Sequence, residues 1–218
     1  MSGQLAFDLP ALQAWAREDF VISPGNALAL ATLDAGAWTN RRLVLTGPPG
    51  SGKTHLAHVW AADQETIWLD PRDLGPALMV LPPEARVVID DAHRVTTPET
   101  LFHLCNRLTQ GALLMTAPLP PRDWGLTLPD LLSRLQASSL ARIEPPDDDL
   151  LSAILAKLFA DRQVEVPPNL IPYLLPRMER SVEAARRLVA HLDARSLAAH
   201  RPITRALAAE VLDTSPEE

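Results

Sequence analysis

The sequence contains a segment, GPPGSGKT, whose residue types suit the binding of phosphate groups. It follows an apolar run, Leu43–Thr46, and precedes a stretch of helical period, Thr54–Ala62, which is the strand–loop–helix context that a phosphate-binding loop requires. Glycines let such a loop curl so that its N–H groups and the helix N-terminus face phosphate oxygens. The residues predicted to contact a nucleotide here are Gly47, Pro48, Pro49, Gly50, Ser51, Gly52, Lys53, Thr54 and His55.

Two of these residues have distinct chemical roles. Lys53 supplies a full positive charge for the β and γ phosphates, and the Thr54 hydroxyl is suited to ligate Mg²⁺. A second segment, Arg86–Asp91, is an apolar run that ends in two acids. We predict that Asp90 joins Thr54 in the metal shell and that Asp91 orients the attacking water, because phosphoryl transfer needs both groups. The alternative is that the two acids only cap the next helix.

Short apolar runs alternate with helical stretches over the first two thirds of the chain, which predicts a parallel sheet with helices on both faces. The predicted strands are Leu43–Thr46, Thr66–Leu69, Arg86–Asp90, Ala112–Thr116 and Leu140–Glu144, with helices that include Thr54–Ala62 and Glu99–Gln110. After Pro145 and Pro146 only helical patterns follow. Besides a helix that begins near Asp147, these are approximately Asn169–Arg177, Val182–Ala199 and Thr204–Leu212.

The predicted fold class is therefore α/β, a P-loop core with a parallel five-stranded sheet and a small all-helical C-terminal lid. We expect an N-terminal tail over residues 1–19, a nucleotide-binding domain over 20–145 and the helical domain over 146–218.

Composition narrows the classes of function. The chain of 218 residues has 20 basic and 27 acidic residues, a net charge of −7, which argues against a protein that mainly coats nucleic acid phosphates. A single cysteine, Cys105, excludes a disulfide framework and a cysteine-rich zinc site. No apolar run reaches the ~18 residues of a membrane span, and no signal peptide is evident, so a cytoplasmic protein is expected. His55 and His58 lack a third metal ligand in sequence, which favours structural roles for both.

The motifs together resemble those of AAA+ ATPases related to the bacterial replication initiator DnaA, and among these the regulators of the Hda type. The resemblance is carried by GKTHLAHVWA, the paired acids of IDDAH, the strand and turn at Met115–Pro121, and LPDLLSRL at Leu128–Leu135. Phe20–Asn26 resembles the segment whose backbone lies against the adenine in this family, which adds Val21 and Ile22 to the nucleotide-binding residues.

The resemblance implies two further functional features. LPDLLSRL matches the arginine-finger helix, so Arg134 is expected to reach the ATP of a neighbouring DnaA and to stabilise charge on its γ-phosphate. The alternative is a surface arginine that pairs with Asp130. The first residues resemble the peptide with which Hda-type proteins bind the DNA polymerase sliding clamp. The residues expected to contact the clamp are Gln4, Leu5, Phe7 and Leu9.

The sequence departs from the family at two positions. The polar residue called sensor one is replaced by Pro118, and Thr116 is the nearest polar substitute. The sensor-two arginine corresponds to Glu183, an acid that could pair with Arg187. Arg180 or Arg186 could take the place of sensor two. We therefore expect binding of ATP or ADP with Mg²⁺ but slow intrinsic hydrolysis.

The resemblance implies a regulator of replication initiation with DnaA and the sliding clamp as partners and with DNA reached through the clamp. Nucleotide-dependent self-association stays open. Two alternatives belong to other classes, an origin-associated DNA-binding ATPase that acts as a truncated initiator and a small-molecule P-loop kinase. The negative charge and the expected absence of a DNA-reading domain disfavour the first. The paired acids after the third strand and the helical lid disfavour the second.

Overall fold

The computed structural model describes residues 15–214 and shows a five-stranded, all-parallel sheet in the order β2-β3-β4-β1-β5. The strands are β1 Arg42–Thr46, β2 Ile67–Leu69, β3 Arg86–Ile89, β4 Ala112–Ala117 and β5 Ser139–Arg142. The parallel five-stranded sheet expected from the sequence is confirmed. From β1 the chain crosses to β2 on one side of the sheet, and from β4 it later crosses over β1 to β5 on the other side. The loop after β1 therefore lies where the direction of the crossovers changes, and open α/β sheets bind ligands at the carboxyl ends of strands at such a point.

Helices cover both faces of the sheet because successive strand residues point to opposite sides. Val44 packs on one side with α3 Gly75–Val80, α4 Pro98–Arg107 and α5 Pro129–Gln136. Its neighbours Leu43 and Leu45 pack on the other side. The helices on that side are α1 Pro24–Ala35 and α2 Lys53–Ala62. Two apolar cores therefore hold the carboxyl edge of the sheet in place.

The helices after β5 form a third apolar core of their own. They are α6 Asp148–Asp161, α7 Leu170–Leu174, α8 Val182–Ala199 and α9 Arg205–Thr214. The N-terminus of α6 is capped by Asp147, whose carboxylate accepts from the Leu150 N–H at 2.8 Å. The Ser181 hydroxyl caps α8 in the same way, accepting from the Ala184 N–H at 3.0 Å. These four helices are the lid.

The structure divides the predicted helix over Asn169–Arg177 into α7 and a 3-10 turn, Leu175–Arg177. Pro176 in that turn has no N–H with which to continue α-helical hydrogen bonding. The other helices predicted after Pro146 are found with bounds within two residues. Among residues 15–214, no helix is both long and apolar enough to cross a membrane.

Candidate nucleotide-binding site

The loop between β1 and α2 adopts a backbone conformation that depends on glycine. Gly50 has φ of +67° and Gly52 has φ of +100°, and both values lie in the left-handed region that L residues rarely adopt. A Cβ on Gly50 would lie 2.6 Å from the Cβ of Ser181. The lid therefore packs directly on the loop, and the Val182 N–H donates to the Gly50 carbonyl at 2.9 Å.

Lys53 is the first residue of α2, and its ammonium group donates to two carbonyls of the preceding loop. Its Nζ is 2.9 Å from the Gly47 oxygen and 2.8 Å from the Pro48 oxygen, and the residue is 7% exposed. Burial lowers the pKa of Lys53, while the charges of Asp91 and Asp90 act in the opposite direction. The Lys53 ammonium is thus a partly desolvated cation, which favours exchange of the carbonyl contacts for phosphate oxygens.

Ser51 has a buried side-chain oxygen without a hydrogen-bond partner among the described residues. Ser51 is one of the residues that line a cavity of about 530 Å³ beside the loop. Unpaired buried polar atoms are rare in folded proteins, and a bound ligand is one explanation for them. The observation fits a phosphate oxygen near the loop.

The Thr54 hydroxyl and the Asp90 carboxylate, predicted as metal ligands, meet in the structure. Thr54 Oγ1 donates to Asp90 Oδ2 at 3.0 Å. Both groups offer oxygen donors of the kind that Mg²⁺ prefers. No cluster of three or more His, Cys, Asp or Glu side chains suited to a metal occurs within residues 15–214.

Thr116 does not serve as a substitute sensor in this arrangement, although the sequence made it the nearest polar candidate. It is fully buried, and its hydroxyl donates to the Asp90 carboxylate while it accepts from the Asp91 N–H at 2.9 Å. Because the single hydrogen of the hydroxyl is donated to Asp90, Thr116 has no hydrogen left for a phosphate and instead fixes the paired acids.

Asp91 has a left-handed backbone, with φ of +53°, at the point where β3 ends. Its carboxylate lies 3.6 Å from the guanidinium of Arg94. The predicted role of Asp91 in orienting water stays a prediction, since its side chain has no contact with Thr54 or Lys53 among the hydrogen bonds and ion pairs of the described chain.

The cavity of about 530 Å³ opens between the residues before α1 and the lid. We call residues 15–23 the leading segment. Val21 lines this cavity, whereas Ile22 is 62% exposed and lies outside its lining. Contact of these two residues with a nucleotide stays a prediction. The opposite wall comes from α6, with the apolar Leu150, Ile154 and Leu158 beside the charged Lys157 and Asp161. A cavity that joins apolar side chains with a few polar groups has the character of a small-molecule site.

Lys157 and Asp19 connect the two walls of this cavity, which the sequence gave no reason to expect. Lys157 Nζ on α6 donates to Asp19 Oδ1 of the leading segment at 2.9 Å and also to Asp161. These two carboxylates raise the pKa of Lys157 through their hydrogen bonds. The two partners are 138 positions apart in sequence, so only the fold could reveal the pair.

A smaller cavity of about 270 Å³ lies over the phosphate loop, and α8 forms one of its walls. Glu183, which corresponds to sensor two, lines it and forms the expected ion pair with Arg187 at 3.7 Å. Arg186 lines both cavities, whereas Arg180 pairs with Asp148 at 2.8 Å. Of the two arginines considered as replacements for sensor two, the structure brings only Arg186 to the site.

His55 lines both cavities, and its predicted contact with a nucleotide stays a prediction. Its ring makes edge contacts with Trp15 and Phe20, at centroid distances of 5.5 Å and 5.4 Å.

Arg134 lies on α5 and lines neither of the two cavities. Its guanidinium carbon is 5.0 Å from the ring centre of Phe102 on α4, and its Nε is buried without a hydrogen-bond partner. No ion pair joins Arg134 to Asp130, or to any other carboxylate, within residues 15–214. The structure therefore does not support the alternative pairing with Asp130.

Gln4, Leu5, Phe7 and Leu9 lie outside the described residues.

Comparison with known proteins agrees with this geometry. Residues 147–212 match the family model of the Hda lid domain. Domain III of the replication initiation protein DnaA from Thermotoga maritima is similar with a TM-score of 0.79 and 19% identity, over 92% of this chain and 96% of that chain. AMPPCP-bound DnaA from Aquifex aeolicus is similar with a TM-score of 0.69 and 18% identity, over 84% of this chain and 66% of that chain. The RuvB Holliday junction branch migration motor of Thermotoga maritima has a TM-score of 0.72 and 19% identity, over 91% of this chain and 71% of that chain.

The fold of this chain is thus the one seen in the solved structures of DnaA and RuvB. The lid helices match the model of the Hda lid domain, and the chain as a whole is consistent with an Hda-type, DnaA-related AAA+ protein.

Proposed function

We propose that this chain is a nucleotide-bound regulator of replication initiation that acts on DnaA. One observation carries the proposal, namely that a phosphate loop with an adjacent Thr54–Asp90 pair occurs together with a lid of the Hda family. The similarity to DnaA structures, one of them bound to AMPPCP, supports a nucleotide as the ligand.

ADP or ATP would occupy the two neighbouring cavities, which share Gly52, His55 and Arg186 in their linings. The base would occupy the larger cavity between Val21 and α6, and the phosphates would lie against the loop. Lys53 would then transfer its hydrogen bonds from the Gly47 and Pro48 carbonyls to phosphate oxygens. Charge-assisted hydrogen bonds of this kind are stronger than those to neutral carbonyls.

Thr54 and Asp90 would hold Mg²⁺, either directly or through water. Their oxygen atoms already lie together, which fits the preference of Mg²⁺ for oxygen ligands. Bound Mg²⁺ would neutralise part of the phosphate charge. Thr116 would keep the Asp90 carboxylate in place for this task.

Slow hydrolysis by the chain itself follows from what surrounds the phosphates. Pro118 has no side-chain donor for a γ-phosphate, and Glu183 places a negative charge at the smaller cavity. Arg187 compensates part of that charge through its ion pair with Glu183. The arrangement suits retention of a nucleotide better than rapid turnover.

Arg134 would act in trans on ATP bound to DnaA. Its guanidinium has no carboxylate partner within the described chain and contacts an aromatic face, so it is free to bind an external anion. An arginine that stabilises the charge of a transferring phosphoryl group can contribute about 10³- to 10⁵-fold in rate.

The sliding clamp would concentrate the protein on DNA through Gln4, Leu5, Phe7 and Leu9, whose apolar members alternate as in an extended peptide.

The test is hydrolysis of DnaA-bound ATP in the presence of sliding clamp loaded on DNA. We expect the wild-type chain to accelerate hydrolysis, and Arg134→Ala to remove at least about 10³-fold of that acceleration. Arg122→Ala is the control for loss of an arginine elsewhere on the protein, because Arg122 is exposed and forms an ion pair with its neighbour Asp123. Deletion of residues 1–9 should abolish the dependence on clamp. Equal acceleration by Arg134→Ala and wild type would reject the proposed mechanism.

A further inference from the structure

We infer that Lys157 and Asp19 are positioning residues, whose ion pair holds the lid against the leading segment and thereby slows the release of bound nucleotide. This role rests on the nucleotide-binding function proposed above and concerns the rate at which nucleotide is exchanged. It requires no contact between either side chain and the nucleotide.

The ion pair joins the two walls of the larger cavity. Asp19 ends a 3-10 helix, Arg17–Asp19, in the leading segment, and Lys157 lies on α6 of the lid. Lys157 Nζ is 2.9 Å from Asp19 Oδ1, and both residues line the cavity. The two side chains are 32% and 17% exposed, so salt screens this pair less than a fully exposed one. An electrostatic contact therefore links the walls between which a ligand would lie.

On its other side the leading segment is attached to the α/β core. Nδ2 of Asn26, a buried residue of α1, donates to the Val21 carbonyl at 2.9 Å. The Phe20 side chain packs on the apolar core to which α1 and α2 contribute. Because these contacts fix the segment to the core, movement of the lid away from the core would break the ion pair.

On the lid, a second acid holds the ammonium group of Lys157. Asp161, four residues later on α6, accepts from Lys157 Nζ at 3.1 Å. When the pair with Asp19 opens, Lys157 keeps this partner, so opening leaves no unpaired cation in the cavity. The pair adds to the packing of Val21 against the lid helices, which holds the same two walls together. The contact is therefore suited to break and re-form reversibly.

The ion pair should act on the rates of exchange more than on affinity. A ligand between the walls leaves when they separate, so loss of the pair should raise the dissociation rate constant. The walls would also separate more often before binding, which raises the association rate constant. Kd should therefore rise less than the dissociation rate constant. Loss of a direct contact with the nucleotide would instead raise both by similar factors.

The experiment is a displacement measurement on the full chain. ADP labelled on its ribose is bound with excess Mg²⁺, and unlabelled ADP is then added, so that the fluorescence decay gives the dissociation rate constant. Titration of the labelled ADP gives Kd. Asp19→Asn and Lys157→Met each remove the charge of one partner. The double variant Asp19→Lys with Lys157→Asp reverses the pair and retains it.

Arg17→Met is the matched control. Arg17 also forms an ion pair from the leading segment, but its partner is Asp34 of α1 in the core, and neither residue lines a cavity. The variant therefore removes an ion pair of the leading segment that does not reach the lid.

We expect Asp19→Asn and Lys157→Met each to release ADP about fivefold faster than wild type, the effect of an ion pair at the strong end of the range for exposed pairs. The reversed pair and Arg17→Met should stay within about twofold of wild type. At about 0.5 M salt the difference between wild type and the single variants should shrink, because salt screens the intact pair. This measurement decides the question if the reversed pair does not fold.

The sign of the effects separates the ion pair from direct action on the phosphates. Loss of a positive charge at Lys157 and of a negative charge at Asp19 would then change the release rate in opposite directions. That result would overturn the inference, as would a wild-type rate in either single variant. Fast release by a folded reversed pair, or a difference that persists at high salt, would also overturn it. Absence of ADP binding by wild type would instead reject the proposed nucleotide site.

Discussion

Thr116 shows how a single buried hydroxyl organises the candidate metal site. It donates to Asp90 and accepts from the backbone of Asp91, so one side chain orients both acids that follow β3. The sequence identified the acids because an apolar strand that ends in two carboxylates is a local pattern. It could not reveal the role of Thr116, which comes from β4, because pairing of β3 with β4 is a property of the fold.

Thr116→Val tests this role at constant side-chain volume. The substitution leaves the Asp91 N–H unpaired in a buried place, so we expect the free energy of unfolding to fall by about 1–3 kcal/mol. The affinity for Mg-ADP should fall more than the affinity for ADP without metal. Chemical denaturation and calorimetric titration measure the two effects.

Thr46→Val is the matched control for that substitution. Thr46 is also a buried strand threonine, but its hydroxyl donates only to the Ala141 carbonyl at 3.2 Å. Its replacement should leave the metal dependence unchanged. A similar loss of metal dependence in both variants would contradict the role assigned to Thr116.

At the scale of elements, the contact between α8 and the phosphate loop determines how the lid closes the site. Gly50 has a positive φ and lies against Ser181, the residue that caps α8. Gly50→Ala should cost stability in two ways. An alanine is strained at this positive φ, and its methyl group would also overpack the contact with Ser181, which we expect to lower the free energy of unfolding by a further amount of about 1–3 kcal/mol. ADP affinity should fall as well.

Gly36→Ala is the control that measures the backbone strain alone, without the steric overlap. Gly36 at the end of α1 has a nearly equal φ of +61°, but a Cβ there would meet nothing within 4 Å. Denaturation of the two variants should therefore show a smaller loss for Gly36→Ala. Equal losses would mean that the lid does not pack on the loop as described.

The sequence was informative about elements wherever the pattern was local. The strands β1 to β5 were predicted to within two residues at each end, because buried parallel strands are short apolar runs between turn residues. The phosphate loop was equally clear. The short helix α3 was not singled out, since its six residues are too few to display a helical period.

The contacts that close the site could not be predicted, because they join distant parts of the chain. Arg186 meets His55 across 131 positions, and Lys157 meets Asp19 across 138. The sequence left Arg180 and Arg186 as equal candidates at the lid. Only packing of α8 on the loop distinguishes them.

At the scale of the whole molecule, the larger of the two cavities is lined by residues of both the α/β core and the lid, so a ligand bound there should stabilise both. Cys105, 4% exposed on α4, is remote from the cavity lining and is the only cysteine of the sequence. Burial raises the pKa of the Cys105 thiol. Because the thiolate is the reactive form, Cys105 should react slowly with thiol reagents while the core is folded.

Mg-ADP should therefore protect Cys105 from thiol reagents at a fixed, mildly denaturing urea concentration. A ligand at 100 times its Kd stabilises the folded state by about 2.7 kcal/mol, which corresponds to labelling about 100-fold slower if the molecule unfolds as one unit. Fluorescence of bound nucleotide, measured in parallel, verifies that the site is occupied. Unchanged labelling with the site occupied would show that core and lid unfold independently.

The most direct test of the account is calorimetric titration of Mg-ADP into wild type and Lys53→Met. We predict that wild type binds one ADP per chain and that Lys53→Met binds about 10- to 100-fold more weakly, since the loss of a charge-assisted hydrogen bond costs about 1.5–3 kcal/mol. Without nucleotide the variant should be at least as stable as wild type, because Lys53 is a cation whose burial disfavours its charge. Failure of wild type to bind ADP or ATP with Mg²⁺, or equal binding by Lys53→Met, would contradict the account.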